Sequence, residues 1–242
     1  MRTIFIADAH LVSPEAPNYR SLLRFLNELE GKLDTLYVMG DLFDFWLGFP
    51  SHPYPQYDAV IVALERLVQG GCRLVYYEGN HDFHLGTVFS ERLKAEIHTG
   101  PAIEIIQGKR FYICHGDQIN AADRPYRLLR FLLRTRLVAA GVRCFPPKWA
   151  VKIREVLQKR SQAGYNEKAA RWDYRQILLG FARKLQEQGY DGLVTGHFHL
   201  ALCKKIPGAP FTLLSLGDWM EQLTYGEIQD GELRLMTYPH IP

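Results

Sequence analysis

Thr3-Ile4-Phe5-Ile6-Ala7-Asp8-Ala9-His10 is an apolar, β-branched run that stops abruptly at a carboxylate and an imidazole. The chain repeats this form four times. Thr35–Met39 runs into Gly40-Asp41-Leu42-Phe43-Asp44, and Arg73–Tyr77 is followed by Gly79-Asn80-His81-Asp82. Arg110–Cys114 ends at His115-Gly116-Asp117, and Gly192–Thr195 at Gly196-His197-Phe198-His199. Short runs of this kind predict buried strands. Between the first three lie helical patterns: Tyr19–Leu29 places Leu22, Leu23, Leu26 and Leu29 on one face, and Ala59–Val68 does so with Val60, Ala63, Leu64 and Leu67. Alternating strand and helix is the signature of a parallel α/β sheet. In such sheets ligands bind outside the carboxyl ends of the strands, where all five polar clusters fall.

The residue types in those clusters point to a metal centre. In Asp8-Ala9-His10 and His197-Phe198-His199, a period of two puts both polar side chains on one face of an extended chain. With Asp41, Asn80 and His115 they make a seven-residue ligand set of carboxylates, an amide and imidazoles. Such mixed nitrogen and oxygen donors suit Mn²⁺, Fe²⁺ or Zn²⁺ better than Mg²⁺, which prefers oxygen alone. Five of the nine histidines lie in these clusters. Gly40, Gly79, Gly116 and Gly196 let the backbone turn sharply enough for the ligands to converge. Asp44 and Asp117 read as residues that fix loops or support ligands.

The rest of the chain bounds the reading. Its 242 residues are 47% apolar and 23% charged, an ordinary globular composition, with one domain over 1–242 expected. Four scattered cysteines without a Cys-x-x-Cys pair fit a reducing compartment. Neither a secretory leader nor an apolar run of about 18 residues is seen, so a cytoplasmic location is expected. Leu200–Ile206, Phe211–Leu216, Gly226–Ile228 and Glu232–Thr237 read as strands, with Asp230-Gly231 as a hairpin turn. They predict a second, more antiparallel set, and two sheets face to face with helices outside.

The net charge of +3 is unevenly placed: residues 121–184 carry +12 and the remainder −9. Within that basic segment Arg124–Val142, Ala150–Gln158 and Lys168–Gln188 read as helices, with Pro146-Pro147 as a break. The segment predicts a helical cap inserted at about 121–184.

On its five clusters the sequence resembles the calcineurin-like metallophosphoesterases, over nearly its whole length. The resemblance implies a four-layer α/β/β/α sandwich with a helical cap insertion. It implies one ion on Asp8, His10 and His199, a second on Asn80, His115 and His197, and Asp41 between them. Two divalent ions about 3.5–4 Å apart can activate a water for in-line attack on phosphorus and clamp the phosphate oxygens. His81 would neutralise developing charge or protonate the leaving group. Asp82 has two open roles: orienting His81, or bonding backbone amides of its loop.

Gly40-Asp41-Leu42-Phe43-Asp44-Phe45-Trp46-Leu47-Gly48 and Ser215-Leu216-Gly217-Asp218-Trp219 are similar to stretches of the UDP-2,3-diacylglucosamine pyrophosphohydrolases of lipid A synthesis. That resemblance implies Mn²⁺-dependent release of UMP and 2,3-diacylglucosamine 1-phosphate. It implies substrate contacts at Asn80, His81, Asp123, Tyr126, Ser161, Tyr165, Lys168 and His197. Two positions depart from the family: enterobacterial members carry Arg where His81 stands, and Tyr165, beside Asn166, replaces a usual Asn.

Arg127, Arg130 and Arg134 share one helix face, with Leu128, Leu129, Phe131, Leu132 and Leu133 on the others, and Phe145-Pro146-Pro147-Lys148-Trp149 adds an aromatic, basic loop. Basic and apolar groups together suit a helix lying on anionic headgroups, hence peripheral contact with the cytoplasmic face of the inner membrane. The same leucines could pack the cap onto the body or line an acyl pocket. Two other readings stay open: a nuclease or soluble nucleotide-sugar pyrophosphatase, and a non-catalytic membrane-binding module. Stacking platforms for nucleic acid are few, namely Trp149, Tyr165 and Trp172. Retention of all seven ligands speaks against loss of catalysis.

Overall fold

The computed structural model describes residues 2–49, 52, 54–135, 137, 138, 140, 141, 171–208 and 210–240. Among these residues the strands are β1 (Thr3–Ile6), β2 (Thr35–Val38), β3 (Trp46–Leu47), β4 (Arg73–Tyr77), β5 (Asp82–Phe83), β6 (Glu96–His98) and β7 (Ala102–Ile106). They continue with β8 (Lys109–Cys114), β9 (Gly192–Thr195), β10 (Ala201–Ile206), β11 (Phe211–Leu216), β12 (Thr224–Gln229) and β13 (Glu232–Thr237). The α-helices are α1 (Pro17–Glu28), α2 (Asp58–Gln69), α3 (Arg124–Leu133) and α4 (Tyr174–Glu187).

Six strands form one sheet in the order β13-β12-β1-β2-β4-β6, and five form another in the order β10-β11-β9-β8-β7. Side-chain alternation builds the layers. Ile4, Ile6, Leu36, Val38, Leu74 and Tyr76 face α1 and α2, meeting Leu22, Leu26, Val60 and Leu64. Their neighbours Phe5, Ala7, Tyr37, Met39, Val75 and Tyr77 face the second sheet, against Phe111, Ile113, Val194 and Leu214. The far side of that sheet buries Leu193, Phe211 and Leu213 against Leu178, Ala182 and Leu185 of α4. The result is the expected α/β/β/α sandwich. Strands covered on both faces need apolar residues at every position, which is why they read as unbroken runs.

Three expectations need correction. The C-terminal strands do not make a sheet of their own: β10 and β11 extend the second sheet beside β9, whereas β12 pairs antiparallel with β1 in the first. Periodicity identifies a strand but not the edge it joins. The hairpin between β12 and β13 turns at Asp230-Gly231, both at positive φ, as expected. The sequence reading also did not identify β6, a short and polar strand, or β7, although Ala102–Ile106 before Gln107-Gly108 carries a hairpin pattern.

The cap boundary moves as well. The expected helix Lys168–Gln188 lies outside the described residues up to 170 and is broken at Trp172-Asp173. Helix α4 starts at Tyr174 behind an Asp173 cap and packs as the outer layer of the second sheet. Its basic residues therefore decorate the body. Of the cap itself α3 is described; the expected helix at Ala150–Gln158 and the loop from Phe145 to Trp149 lie outside the described residues. In helix α3 two of the three arginines expected at a headgroup surface turn inward, and most of the leucines that could have packed the cap onto the body turn outward. Arg130 and Arg134 point into the body, onto Asp117 and Glu78. Leu128, Phe131 and Leu132 are 61%, 70% and 52% exposed, and Leu137 just beyond is 84% exposed. Buried carboxylates beneath α3 select the arginine face; a helical wheel alone cannot say which face turns inward.

Candidate metal centre

The parallel strands β1, β2 and β4 of one sheet, and β8 and β9 of the other, end at a common rim. Backbone bonds tie the loops there together. Asp8 N donates to the Gly40 carbonyl at 3.1 Å, His10 N to that of Asp41 at 2.9 Å, and Gly196 N to that of His115 at 2.8 Å. Asp8, His10, Asp41, His197 and His199 all have left-handed backbones, with φ of 51°, 43°, 53°, 69° and 49°. Such conformations are uncommon away from glycine and cluster at functional sites. The fit is tight enough to require Gly79, since a Cβ there would lie 2.1 Å from Asp41 Oδ1.

All seven predicted ligands converge. His199 Nε2 is 3.7 Å and His10 Nε2 is 4.0 Å from Asp8 Oδ1. Asn80 Oδ1 is 3.2 Å from His115 Nε2 and 3.0 Å from His197 Nδ1. Asp41 Oδ2 lies between the groups, 3.8 Å from His10 Nε2 and 3.5 Å from His115 Nε2. Donor atoms each about 2.0–2.2 Å from an ion have mutual separations in this range. Asp8 Oδ1 and His10 Nε2 are moreover buried atoms without a hydrogen-bond partner. Buried polar atoms are seldom left so in the absence of a missing ligand. The donor set thus fits two divalent ions.

Supporting contacts orient the ligands. The Met39 carbonyl, 2.7 Å from His115 Nδ1, takes its proton and leaves Nε2 facing the centre. The second oxygen of Asp8 accepts the His197 amide at 2.7 Å. Asp218 stands 3.7 Å from His199 Nδ1 and accepts the amides of Glu221 and Gln222. The sequence reading gave Asp218 no role, although Gly217-Asp218 follows β11 just as the other motifs follow their strands.

Asp82 does not orient His81. Its Oδ1 accepts from the amides of Asp41 at 2.9 Å and Gly79 at 3.0 Å. Its Oδ2 accepts from the Leu42 amide at 2.7 Å and the Tyr76 hydroxyl at 2.5 Å. A carboxylate on an adjacent residue points away from its neighbour's ring, and His81 Nδ1 lies instead 2.8 Å from the Asp44 carbonyl. The His81 ring meets that of His10 edge-on at 4.6 Å. Asp117 accepts from the Tyr126 hydroxyl at 2.6 Å and Arg130 Nε at 2.5 Å, so it joins the cap to the rim.

Charge is distributed unevenly across the centre. Burial, opposed by His199, raises Asp8 to about 6. Burial lowers His10 and His197 to about 3, leaving both neutral and able to ligate. Burial acts the same way on His115, but the Asp41 carboxylate outweighs it and lifts that imidazole to about 10. Asp41 itself is held well below the usual range, where burial loses to His115 and His81.

A pH dependence follows. Because the folded value of Asp8 is raised, its contribution to metal-free stability is full below about 3.8 and is lost as pH rises through about 6. Ion binding needs Asp8 ionised and His115 neutral, so it releases protons. Each released proton weakens binding about tenfold per unit fall in pH. The rise in Tm on adding Mn²⁺ to chelated protein should therefore be larger at pH 7.5 than at pH 5.5; a shift of equal size at both would contradict this protonation scheme.

The expected substrate residues are only partly placed. Asp123 caps α3, accepting the Tyr126 amide at 3.3 Å, and the Tyr126 ring lies 6.2 Å from that of His197. Asn80, His81 and His197 are at the centre itself. Ser161, Tyr165 and Lys168 lie outside the described residues.

A family model described as calcineurin-like phosphoesterase matches residues 1–201. The UDP-2,3-diacylglucosamine hydrolase of Nitrosococcus oceani is 31% identical over 222 residues, covering 90% of this chain and 88% of that protein. The enzyme so named from Stenotrophomonas maltophilia is 32% identical, covering 92% of each. Among solved structures, an archaeal phosphodiesterase superposes with a TM-score of 0.51 at 14% identity, covering 98% of this chain and all of that one, which supports the fold. The chain belongs to the calcineurin-like phosphoesterase family, and within it is a sequence relative of the UDP-2,3-diacylglucosamine hydrolases.

Proposed function

We propose that this enzyme hydrolyses the pyrophosphate of UDP-2,3-diacylglucosamine to UMP and 2,3-diacylglucosamine 1-phosphate. The observation that carries the two-ion chemistry is Asp41 Oδ2 standing between His10 and His115, with Asp8 Oδ1 and His10 Nε2 otherwise unpartnered. Asp8, His10 and His199 would hold one ion, Asn80, His115 and His197 would hold the other, and Asp41 would serve both. When bound, two such ions activate water and neutralise phosphate oxygens. Mn²⁺ is the proposed metal, with Fe²⁺ and Zn²⁺ compatible with the same donors.

The protein's own groups do the rest. A water oxygen bonds to the α-phosphorus while the bond from that phosphorus to the bridging oxygen breaks. The leaving oxygen departs with the sugar phosphate, and the proton that the attacking water gives up passes to bulk water. His81, fixed through Nδ1 by the Asp44 carbonyl, offers its ring to a phosphate oxygen and supplies the proton or the positive charge. Asp123 and Tyr126 flank the centre from the cap side, and Ser161, Tyr165 and Lys168 are proposed to complete the substrate contacts.

The relatives' names support the lipid substrate, and the outward apolar face of α3 is consistent with it. Leu128, Phe131 and Leu132 are proposed to meet acyl chains at the cytoplasmic face of the inner membrane, with exposed Arg127 near the headgroups. Among the described residues no helix is long and apolar enough to cross a membrane. Purified enzyme with Mn²⁺ should release UMP from UDP-2,3-diacylglucosamine in anionic vesicles. Phe131→Glu should raise KM for that substrate while leaving turnover of a small soluble phosphodiester intact. Cleavage of simple diesters or RNA without any UMP release from the lipid would sink the assignment.

A further inference from the structure

Helix α3 fully buries none of its side chains, so apolar packing alone does not fix its place. Two guanidinium groups add to the attachment made by Tyr126 on Asp117 and by Leu133, which packs on the core and whose carbonyl meets His84. Arg130 bonds Asp117 and also donates through Nη2 to the Thr99 carbonyl at 3.0 Å. Arg134, the cap residue at the end of the helix, reaches further in. Its Nη1 donates to Glu78 Oε2 at 2.8 Å and to the Thr99 carbonyl at 2.6 Å. Its Nη2 donates to the backbone carbonyls of Glu78 at 3.2 Å and Gly79 at 2.8 Å. The Arg134 and Glu78 side chains are 11% and 3% exposed.

The Gly79 carbonyl shares a peptide bond with the nitrogen of Asn80. Gly79 is thus held at both ends: Asp82 takes its N–H, and Arg134 takes its carbonyl. We propose that Arg134 is a positioning residue for the second ion. It keeps the Gly79–Asn80 peptide in the orientation that holds Asn80 Oδ1 beside His115 and His197, and it makes that orientation depend on the seating of the cap. This rests on the two-ion reading above. A counter-ion for Glu78 needs only one positive charge. Covering Glu78 Oε2 and three backbone carbonyls needs the planar fork, which lysine lacks.

Mn²⁺ titrated calorimetrically into the chelated full-length protein separates these roles. Arg134→Lys keeps the charge opposite Glu78 but gives up carbonyl contacts. It should weaken one of two Mn²⁺ sites about 10–100-fold, the range for losing a ligand's supporting contact, and leave the other as in wild type. With bis(4-nitrophenyl) phosphate, kcat should fall while KM stays. The double variant Arg134→Met/Glu78→Gln, which leaves no buried charge unpaired, should show the same one-sided loss. Wild-type affinities at both sites in either folded variant, or an equal loss at both, would overturn the positioning role alone. A wild-type protein that binds fewer than two Mn²⁺ would instead overturn the two-ion reading and this inference with it.

Discussion

Asparagine in place of Asp41 should lower phosphodiester hydrolysis by more than about 10²-fold, beyond what removal of a supporting contact does, while the folded protein persists. Asparagine keeps the shape and the Oδ1 acceptor that takes the His81 amide at 2.8 Å. What disappears is the negative charge at Oδ2, an atom within reach of both His10 and His115. In the metal-free protein that charge holds a proton on His115; without it the imidazole gives up the proton and stays buried and neutral. No unpaired charge is created, so the Tm of the chelated protein should move little. Mn²⁺ stoichiometry by calorimetry should drop below two. Wild-type turnover and two intact sites in Asp41→Asn would show that the carboxylate is not shared.

The strand-end ligands were legible in the sequence because their information is local. An apolar run says where the strand ends, and the carboxylate and imidazoles just after it mark the rim. The expected extended chain at Asp8-Ala9-His10 and His197-Phe198-His199 is replaced by left-handed turns, which bring the same residues together by a different path. The sheet order then brings the ends together without further instruction. What escaped depended on partners distant in the chain. Glu78 lies 56 residues from Arg134, and nothing local says that a buried carboxylate waits for that guanidinium. The +12 segment therefore read as a basic surface, although two of its arginines are spent inside the molecule and the helix carrying them shows its leucines outward. Asp218 was given no role for another reason: its motif carries no histidine, and it entered only as part of a family-like stretch.

The same contrast between local and distant partners decides what Asp82 does, and here stability and turnover separate. Asp82→Ala should destabilise the fold by at least about 3 kcal/mol, since three amides and one hydroxyl lose a buried acceptor and each unsatisfied group costs about 1–3 kcal/mol. For a chain of this size that is a fall in Tm of roughly 6–12 °C. Asp82 is fully buried and stitches the Asp41 loop to the Gly79 loop, so loosening it also displaces ligands from both ion sites. Burial and the Asp41 charge push its carboxyl up to about 7. Its own titration therefore favours the metal-free fold below about 3.8, an advantage lost as pH rises through 7. The Tm comparison belongs at pH 7.5 with Mn²⁺ present, where the bound ions offset that repulsion. His81→Ala is the control, because it removes the acid while leaving every Asp82 contact in place. It should lower kcat about 10²–10⁴-fold with Tm unchanged. Were Asp82 an orienting partner of His81, its alanine variant would match that pattern; a fall in Tm confined to Asp82→Ala assigns it to the scaffold of the site.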